Sequence, residues 1–302
     1  MNSPLILDYP VPPLFSFKEC LWFLNRNYDD CMHRISSGAI TKAISLPEGD
    51  FLIRIAEHRQ MIRMEILDGA DIENHREVLE QYLKNWFDLD RDPRPLYELL
   101  KKDPQLSYMV TAFQGLRLVS MPDLFEALCW GITGQQINLS FAYKLKRRLV
   151  EKYGRSIEHE GNVYHLFPKP TALAKAGITD LMDMQFSQKK AEYLIGLSKA
   201  FLDGTISEKT LKALPSLKER QQVLTAIRGI GLWTANYALM KSFRENSCIP
   251  YGDVGLLNAL IAHGIMQQKT DREQMDHFFE KYKGWESYLV FYLWRSLSQP
   301  EQ

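Results

Sequence analysis

From about residue 101 onward, almost every stretch long enough to form an element repeats its apolar residues at intervals of three and four. "MPDLFEALCWGITGQQI" (121–137), "LSFAYKLKRRLVEKYG" (139–154), "SQKKAEYLIGLSKAFLDG" (187–204), "LWTANYALMKSF" (232–243) and "WESYLVFYLWRSL" (285–297) all do so, and several are bounded by Gly, Pro, Ser or Asp. That period with those end residues predicts amphipathic α-helices. Strand signals fade over the same range, so residues 101–302 are expected to form an all-α helical bundle. Residues 1–100 read differently. "SFKECLWFLNRN" (16–27) has helical spacing, whereas "DFLIRIAEH" (50–58) and "QMIRMEIL" (60–67) alternate. Phe51, Ile53 and Ile55 share one face of the first, Ile62, Met64 and Ile66 one face of the second, with a link short enough for a hairpin. A helix at "REVLEQYLKNWF" (76–87) follows. Helix, antiparallel strands and helix predict a small α+β domain. The charged, proline-bearing "DLDRDPRPLYELL" (88–100) marks the boundary between the two.

The chain's 302 residues suffice for two such domains with a sizeable core, and 45% hydrophobic and 25% charged residues are ordinary for a globular protein. Net charge is zero, yet unevenly spread: 13 Lys and Arg against 18 Asp and Glu in residues 1–103, 24 against 19 beyond. The basic second half is compatible with one face meeting a polyanion. Cys20, Cys31, Cys129 and Cys248 are scattered, which favours reduced thiols over disulfides or a metal site. The start, "MNSPLILDYPVPPLF", has no basic stretch ahead of its apolar residues and is broken by prolines, which argues against a signal peptide. No apolar run reaches membrane-spanning length. A cytoplasmic protein is expected.

Within the helical half, "AIRGIGLWTANYALM" (226–240) sets Gly229 and Gly231 one residue apart between two helices. Glycine lets a chain reverse at positive φ and lets another backbone come close. Amides opening the second helix point outward, where the helix dipole favours an anion such as a phosphate. A plain tight turn between helices would use the same residues. Further on, "CIPYGDVGLLNALIAHG" (248–264) places Asp253 just before an apolar-periodic helix. Asp253 can be an N-cap, a carboxylate held at the mouth of a cleft, or both, since capping would fix its direction.

Helix, "RGIGLWTANY" hairpin, second helix and a Gly/Pro loop closed by Asp253 together resemble the helix-hairpin-helix DNA glycosylase superfamily, within it the bacterial 3-methyladenine DNA glycosylase II type. "GITGQQINLSFAYKL", "FSQKKAEYLIGLSKAFLDGTI" and "YKGWESYLVFYLWRSL" extend the likeness over most of the chain. The resemblance implies a TBP-like α+β N-terminal half before the helical glycosylase domain, with the hairpin at 217–241 and the aspartate loop at 248–254. It implies an enzyme of base excision repair that flips a damaged base out of double-stranded DNA and hydrolyses its bond to the sugar.

Breaking that bond builds positive charge on the sugar, as in glycoside hydrolysis, and a carboxylate beside it stabilises the charge and orients or deprotonates water. The resemblance gives Asp253 this role. N3- and N7-alkylated purines already carry positive charge and leave neutral, so one carboxylate suffices. Trp233, Tyr237 and Trp285 are the implied pocket aromatics, since an electron-poor cationic base stacks on electron-rich rings; alternatively they are ordinary core residues. Gly229, Ile230, Gly231, Thr234, Gln135 and Gln136 are the implied DNA contacts, with Gln136 the side chain filling the gap left by the base, or else part of a polar loop. Arg228, Lys189, Lys190 and Lys241 are phosphate contacts or solvated charges. Relatives that also cleave the backbone carry a lysine where this chain has Trp233, so a monofunctional enzyme without lyase activity is expected. No metal or cofactor is required. His159 and His165 lack the spacing of a zinc motif, and the resemblance allows a monovalent cation on the carbonyls of residues 226–231. A monomer is expected. The rival readings are a non-catalytic helix-hairpin-helix module gripping DNA, and a glycosylase for oxidised or deaminated bases.

Overall fold

The computed structural model describes residues 5–26, 28–69 and 72–298. Residues 5–69 build a five-stranded antiparallel sheet of β1 (Leu5–Pro10), β2 (Arg34–Ser36), β3 (Ala39–Leu46), β4 (Gly49–His58) and β5 (Met61–Gly69), in the order β1-β5-β4-β3-β2. β4 and β5 are the two strands whose alternation is plain. Arg59 and Gln60 join them, both at positive φ (51° and 60°), which suits the twist of a two-residue hairpin. Phe51, Ile53, Ile55, Ile62, Met64 and Ile66 are all buried in the main core. β1 and β3 escape a search for alternation. β1 is a short edge strand ending in a proline. β3 buries its residues in adjacent pairs, Ala39-Ile40 and Ala43-Ile44, because both of its faces are covered.

The cover on the second face corrects the expectation of an all-α second half. β6 (Arg155–His159) and β7 (Asn162–Leu166) form a hairpin whose Leu166, Ile157 and Tyr164 pack with Ala43 and Leu52 behind the sheet. Arg155 pairs with Asp50, and Arg34 Nη1 donates to Asn162 Oδ1 at 2.7 Å. Five-residue strands with so few apolar residues carry too little periodicity to be read.

The remaining described residues are mainly helical. Central among them is Leu124–Gly134, every residue of which but Gly134 is buried. The first helix, Phe17–Leu24, capped by Ser16, packs across the molecule on the last, Glu286–Ser296. Phe23 and Phe291 lie 5.0 Å apart, and Arg295 pairs with Glu19 at 2.9 Å. The main core is therefore continuous from the sheet to the final helix.

One buried charge cluster and one exposed capping carboxylate mark this junction. Lys146 lies between Asp30 at 3.4 Å and Glu126 at 3.0 Å. Burial opposes the charge of Asp30, but Lys146, His33 and the Met32 N–H outweigh it and hold the carboxyl down at about 2. Burial likewise opposes the charge of Lys146, and the two carboxylates overcome it, raising its pKa. Asp123 goes the other way. It caps Leu124–Gly134 by accepting from the Phe125 N–H at 2.7 Å and the Glu126 N–H at 3.3 Å; although its surface is exposed, the protein packed around it and the nearby Glu126 push it up to about 6. Its folded pKa thus exceeds the unfolded value of about 4. The native state keeps the proton longer, and stability present at low pH is lost as pH rises through 6. Asp123→Asn keeps a capping oxygen and removes that loss. Because the Asp123 side chain is exposed, solvent screens much of the effect, and the variant is expected to gain under about 1 kcal/mol at pH 8 and little at pH 4 in denaturant melts. An equal gain at both pH values would contradict this assignment.

Candidate active site

The glycine hairpin joins Leu217–Thr225 to Leu232–Ala238. Gly229 has φ 96°, and a Cβ there would meet the Tyr193 ring at 2.3 Å, so the position admits only glycine. Gly231 is different: its backbone is extended and a Cβ there would meet nothing within 4 Å, leaving open space before the second helix. Behind the hairpin, a Cβ on Gly131 would stand 2.6 Å from Thr234 Cγ2, so helix Leu124–Gly134 lies directly against Leu232–Ala238. That closeness lets Gln135 Nε2 donate to Gly229 O at 2.9 Å and Thr234 Oγ1 at 3.1 Å.

A second set of bonds places the aspartate loop. Asn236, buried on the hairpin helix, donates from Nδ2 to Ile249 O at 2.7 Å and accepts from Gln221 Nε2 at 2.6 Å. Ser287 Oγ accepts from the Cys248 N–H at 3.1 Å. Gly252, at φ 84°, turns the chain, and Asp253 caps Val254–Ala262. Its Oδ1 accepts from the Leu256 N–H at 2.8 Å and from Trp294 Nε1 at 2.9 Å; its Oδ2 accepts from Trp233 Nε1 at 3.3 Å. The cap and the cleft carboxylate are therefore one group. Three donors fix its plane, and Oδ2, with a single long bond, is the oxygen left to act on a guest.

Asp253, Trp233, Tyr237, Trp294, Gln135, Gln136 and the hairpin residues Gly229, Ile230 and Gly231 line one cleft of about 1400 Å³, to which the first helix contributes Trp22 and Phe23 and the residues after it Arg26. Trp233 stacks on Tyr237 with centroids 5.4 Å apart, and Tyr237 lies 6.3 Å from Trp294. Carboxylate, indoles and hairpin thus meet at one opening.

Several expected residues stand elsewhere. Trp285 is outside the cleft: it caps the last helix against Tyr288 and faces the Arg91 guanidinium. Trp294, two and a half turns further along, occupies the place expected of it. Thr234 and Ile230 are buried at the back of the cleft, and the Gln135 amide is committed to the hairpin. Gln136 is exposed at φ 56°. Arg228 is exposed beside Glu192 at 3.1 Å, and Lys189 is exposed. Lys190 instead donates to Thr133 O at 2.8 Å, closing the end of the central helix. Lys241 is fully buried, neither a solvated charge nor a phosphate contact: it donates to Val119 O and lies 3.8 Å from the Phe23 ring. Burial and the nearby Arg26 hold its amine well below the ordinary lysine range. No lysine lines the cleft among the described residues. Among them there is also no group of three or more His, Cys, Asp or Glu able to hold a metal ion, and no helix long and apolar enough to cross a membrane.

Comparison with known proteins gives the family. Residues 129–284 match the family model described as HhH-GPD superfamily base excision DNA repair protein, and residues 22–128 match that of the 8-oxoguanine DNA glycosylase N-terminal domain. The DNA-3-methyladenine glycosylase of Bacillus subtilis (strain 168) is 40% identical over 300 residues, 98% of each chain. DNA-3-methyladenine glycosylase 2 of Escherichia coli (strain K12) is 30% identical over 190 residues, 63% of each. The solved structure of the 3-methyladenine DNA glycosylase from Archaeoglobus fulgidus superposes with a TM-score of 0.81 at 22% identity, covering 98% of this chain and 100% of that one. The chain belongs to the HhH-GPD superfamily of base excision DNA repair proteins.

Proposed function

We propose that this protein is a monofunctional DNA N-glycosylase that flips N3- and N7-alkylated purines out of double-stranded DNA and hydrolyses their bond to the sugar. The observation that carries the reading is the Asp253 carboxylate held by two indole N–H groups at the mouth of an aromatic cleft bordered by the glycine hairpin. Relatives named as 3-methyladenine glycosylases support the substrate class.

In this reading the main-chain amides of Gly229 and Gly231 hold a phosphate of the damaged strand, and exposed Gln136 fills the gap left by the extruded nucleotide. The base lies among Trp233, Tyr237 and Trp294, whose faces suit a cationic ring. As the bond to the sugar lengthens, its electron pair passes to the base nitrogen and the alkylpurine leaves neutral. The carboxylate of Asp253 stabilises the positive sugar, orients the attacking water and takes its proton. The protein acts as a cytoplasmic monomer on DNA, without a cofactor in the chemistry. A monovalent cation on carbonyls of residues 226–231 would stiffen the hairpin; there Ile227 O and Gly229 O already accept from Ile230 N–H and Gln135 Nε2.

The match of residues 22–128 to the 8-oxoguanine glycosylase N-terminal domain favours oxidised bases as a second reading. The two are separated by incubating the protein with methylated duplex DNA and with duplex containing 8-oxoguanine. Free 3-methyladenine and 7-methylguanine, with intact strands and no protein–DNA adduct after borohydride, are expected. Release of 8-oxoguanine with a trapped adduct would replace the first reading by the second.

A further inference from the structure

A pocket meant for cationic bases carries a cation of its own. Two arginines line the cleft. Arg228 is paired with Glu192, while no carboxylate pairs with Arg26 among the described residues. Arg26 follows the first helix and is held by two acceptors among the described residues. Its Nε donates to Phe23 O at 3.0 Å and its Nη2 to Tyr143 Oη at 3.2 Å, and its guanidinium carbon lies 4.1 Å from the Phe23 ring centroid. Three of its five N–H groups have no acceptor among the described residues. Its charge also reaches the recognition rings, since it acts on the hydroxyl of Tyr237 and on the amine of Lys241 behind the same wall.

The charge balance of the reaction gives this cation a use. When the bond between C1′ and the base nitrogen breaks, the electron pair goes to the base. An N3- or N7-alkylpurine passes from +1 to neutral. A neutral lesion such as hypoxanthine passes from neutral to −1, later taking a proton from solvent. In both cases the base becomes more negative by one charge while water adds at C1′. A fixed positive group beside the base favours that change for either class. In the bound ground state, however, it repels the cationic base and can donate to an acceptor on the neutral one.

We propose that Arg26 is a leaving-group and specificity residue: it speeds departure of both base classes, weakens binding of cationic lesions and strengthens binding of neutral purines bearing a ring or carbonyl acceptor. This rests on the glycosylase reading above. The test uses the full chain, wild type and Arg26→Gln and Arg26→Lys, in single turnover with enzyme in excess, on duplexes carrying one 7-methylguanine or one hypoxanthine. With Arg26→Gln the maximal rate is expected to fall at least about tenfold on both lesions. The enzyme concentration giving half that rate should drop for 7-methylguanine and rise for hypoxanthine. Arg26→Lys, which keeps the charge, should recover most of the rate. An unchanged maximal rate with Arg26→Gln overturns the proposal. So does an equal loss of rate and of affinity on both lesions that Arg26→Lys does not relieve, the pattern of a merely structural residue. Wild-type protein that releases neither base would instead overturn the glycosylase reading itself.

Discussion

Asp253→Asn is expected to lower the single-turnover rate of base release by about 10³-fold or more while leaving affinity for duplex DNA within about threefold. The substitution is isosteric, and asparagine is as good an N-cap as aspartate. An amide oxygen can still accept from the Leu256 N–H and the Trp294 indole, the two shorter bonds to this side chain. What disappears is the negative charge at Oδ2, on which both stabilisation of the sugar and proton acceptance depend. Fold and binding should therefore survive while chemistry fails. A variant that releases base within about tenfold of the wild-type rate would remove the carboxylate from the mechanism and favour a module that merely grips DNA.

Lys146→Met is expected to destabilise the fold by about 3–5 kcal/mol, because it strands buried Glu126 and largely buried Asp30. Asp30 and Glu126 both point at its amine, and that amine is the leading favourable charge holding Asp30 ionised. In urea melts the deficit should shrink as pH falls, since protonating the carboxylates removes the uncompensated charge. Adding Asp30→Asn and Glu126→Gln should recover most of the loss. The site should suffer too. Asp30 anchors the segment that begins at Arg26, and Tyr143, which receives the Arg26 guanidinium, lies one turn before Lys146 on the same helix. A variant as stable as the wild type would show that the triad does not brace this junction.

Much of this architecture was legible because local chemistry and tertiary demand coincide. The spacing of Gly229, Gly231 and Trp233 and the position of Asp253 ahead of an apolar helix encode a turn, a close approach and a cap, all of which neighbouring residues decide. β4 and β5 alternate because these strands turn most of their apolar side chains to one core. Where a residue's role depends on which face of an element looks inward, the sequence is silent. Trp285 and Trp294 belong to the same C-terminal helix, nine residues or two and a half turns apart, so they project to opposite sides. Only packing decides that Trp294 meets Asp253 and Trp285 meets Arg91. Lys241 follows the hairpin helix into a π-helical turn, Leu239–Phe243, whose wider register turns it inward beneath Phe23. Arg26, Trp22 and Phe23 reach the cleft from more than 200 residues away from Trp233, through the contact between first and last helices, and no motif marks them. The β6–β7 hairpin is fixed by the sheet it covers rather than by its own pattern.

The central claim is that the Asp253 carboxylate faces positive charge developing on the sugar. It is tested most directly by the affinity of wild type and Asp253→Asn for duplexes in which one nucleotide is replaced by a cationic pyrrolidine or by a neutral tetrahydrofuran. Wild-type protein should prefer the pyrrolidine by at least about tenfold, and the variant should lose that preference while still binding the tetrahydrofuran duplex. Equal preference in the two proteins would mean that the carboxylate does not meet the sugar.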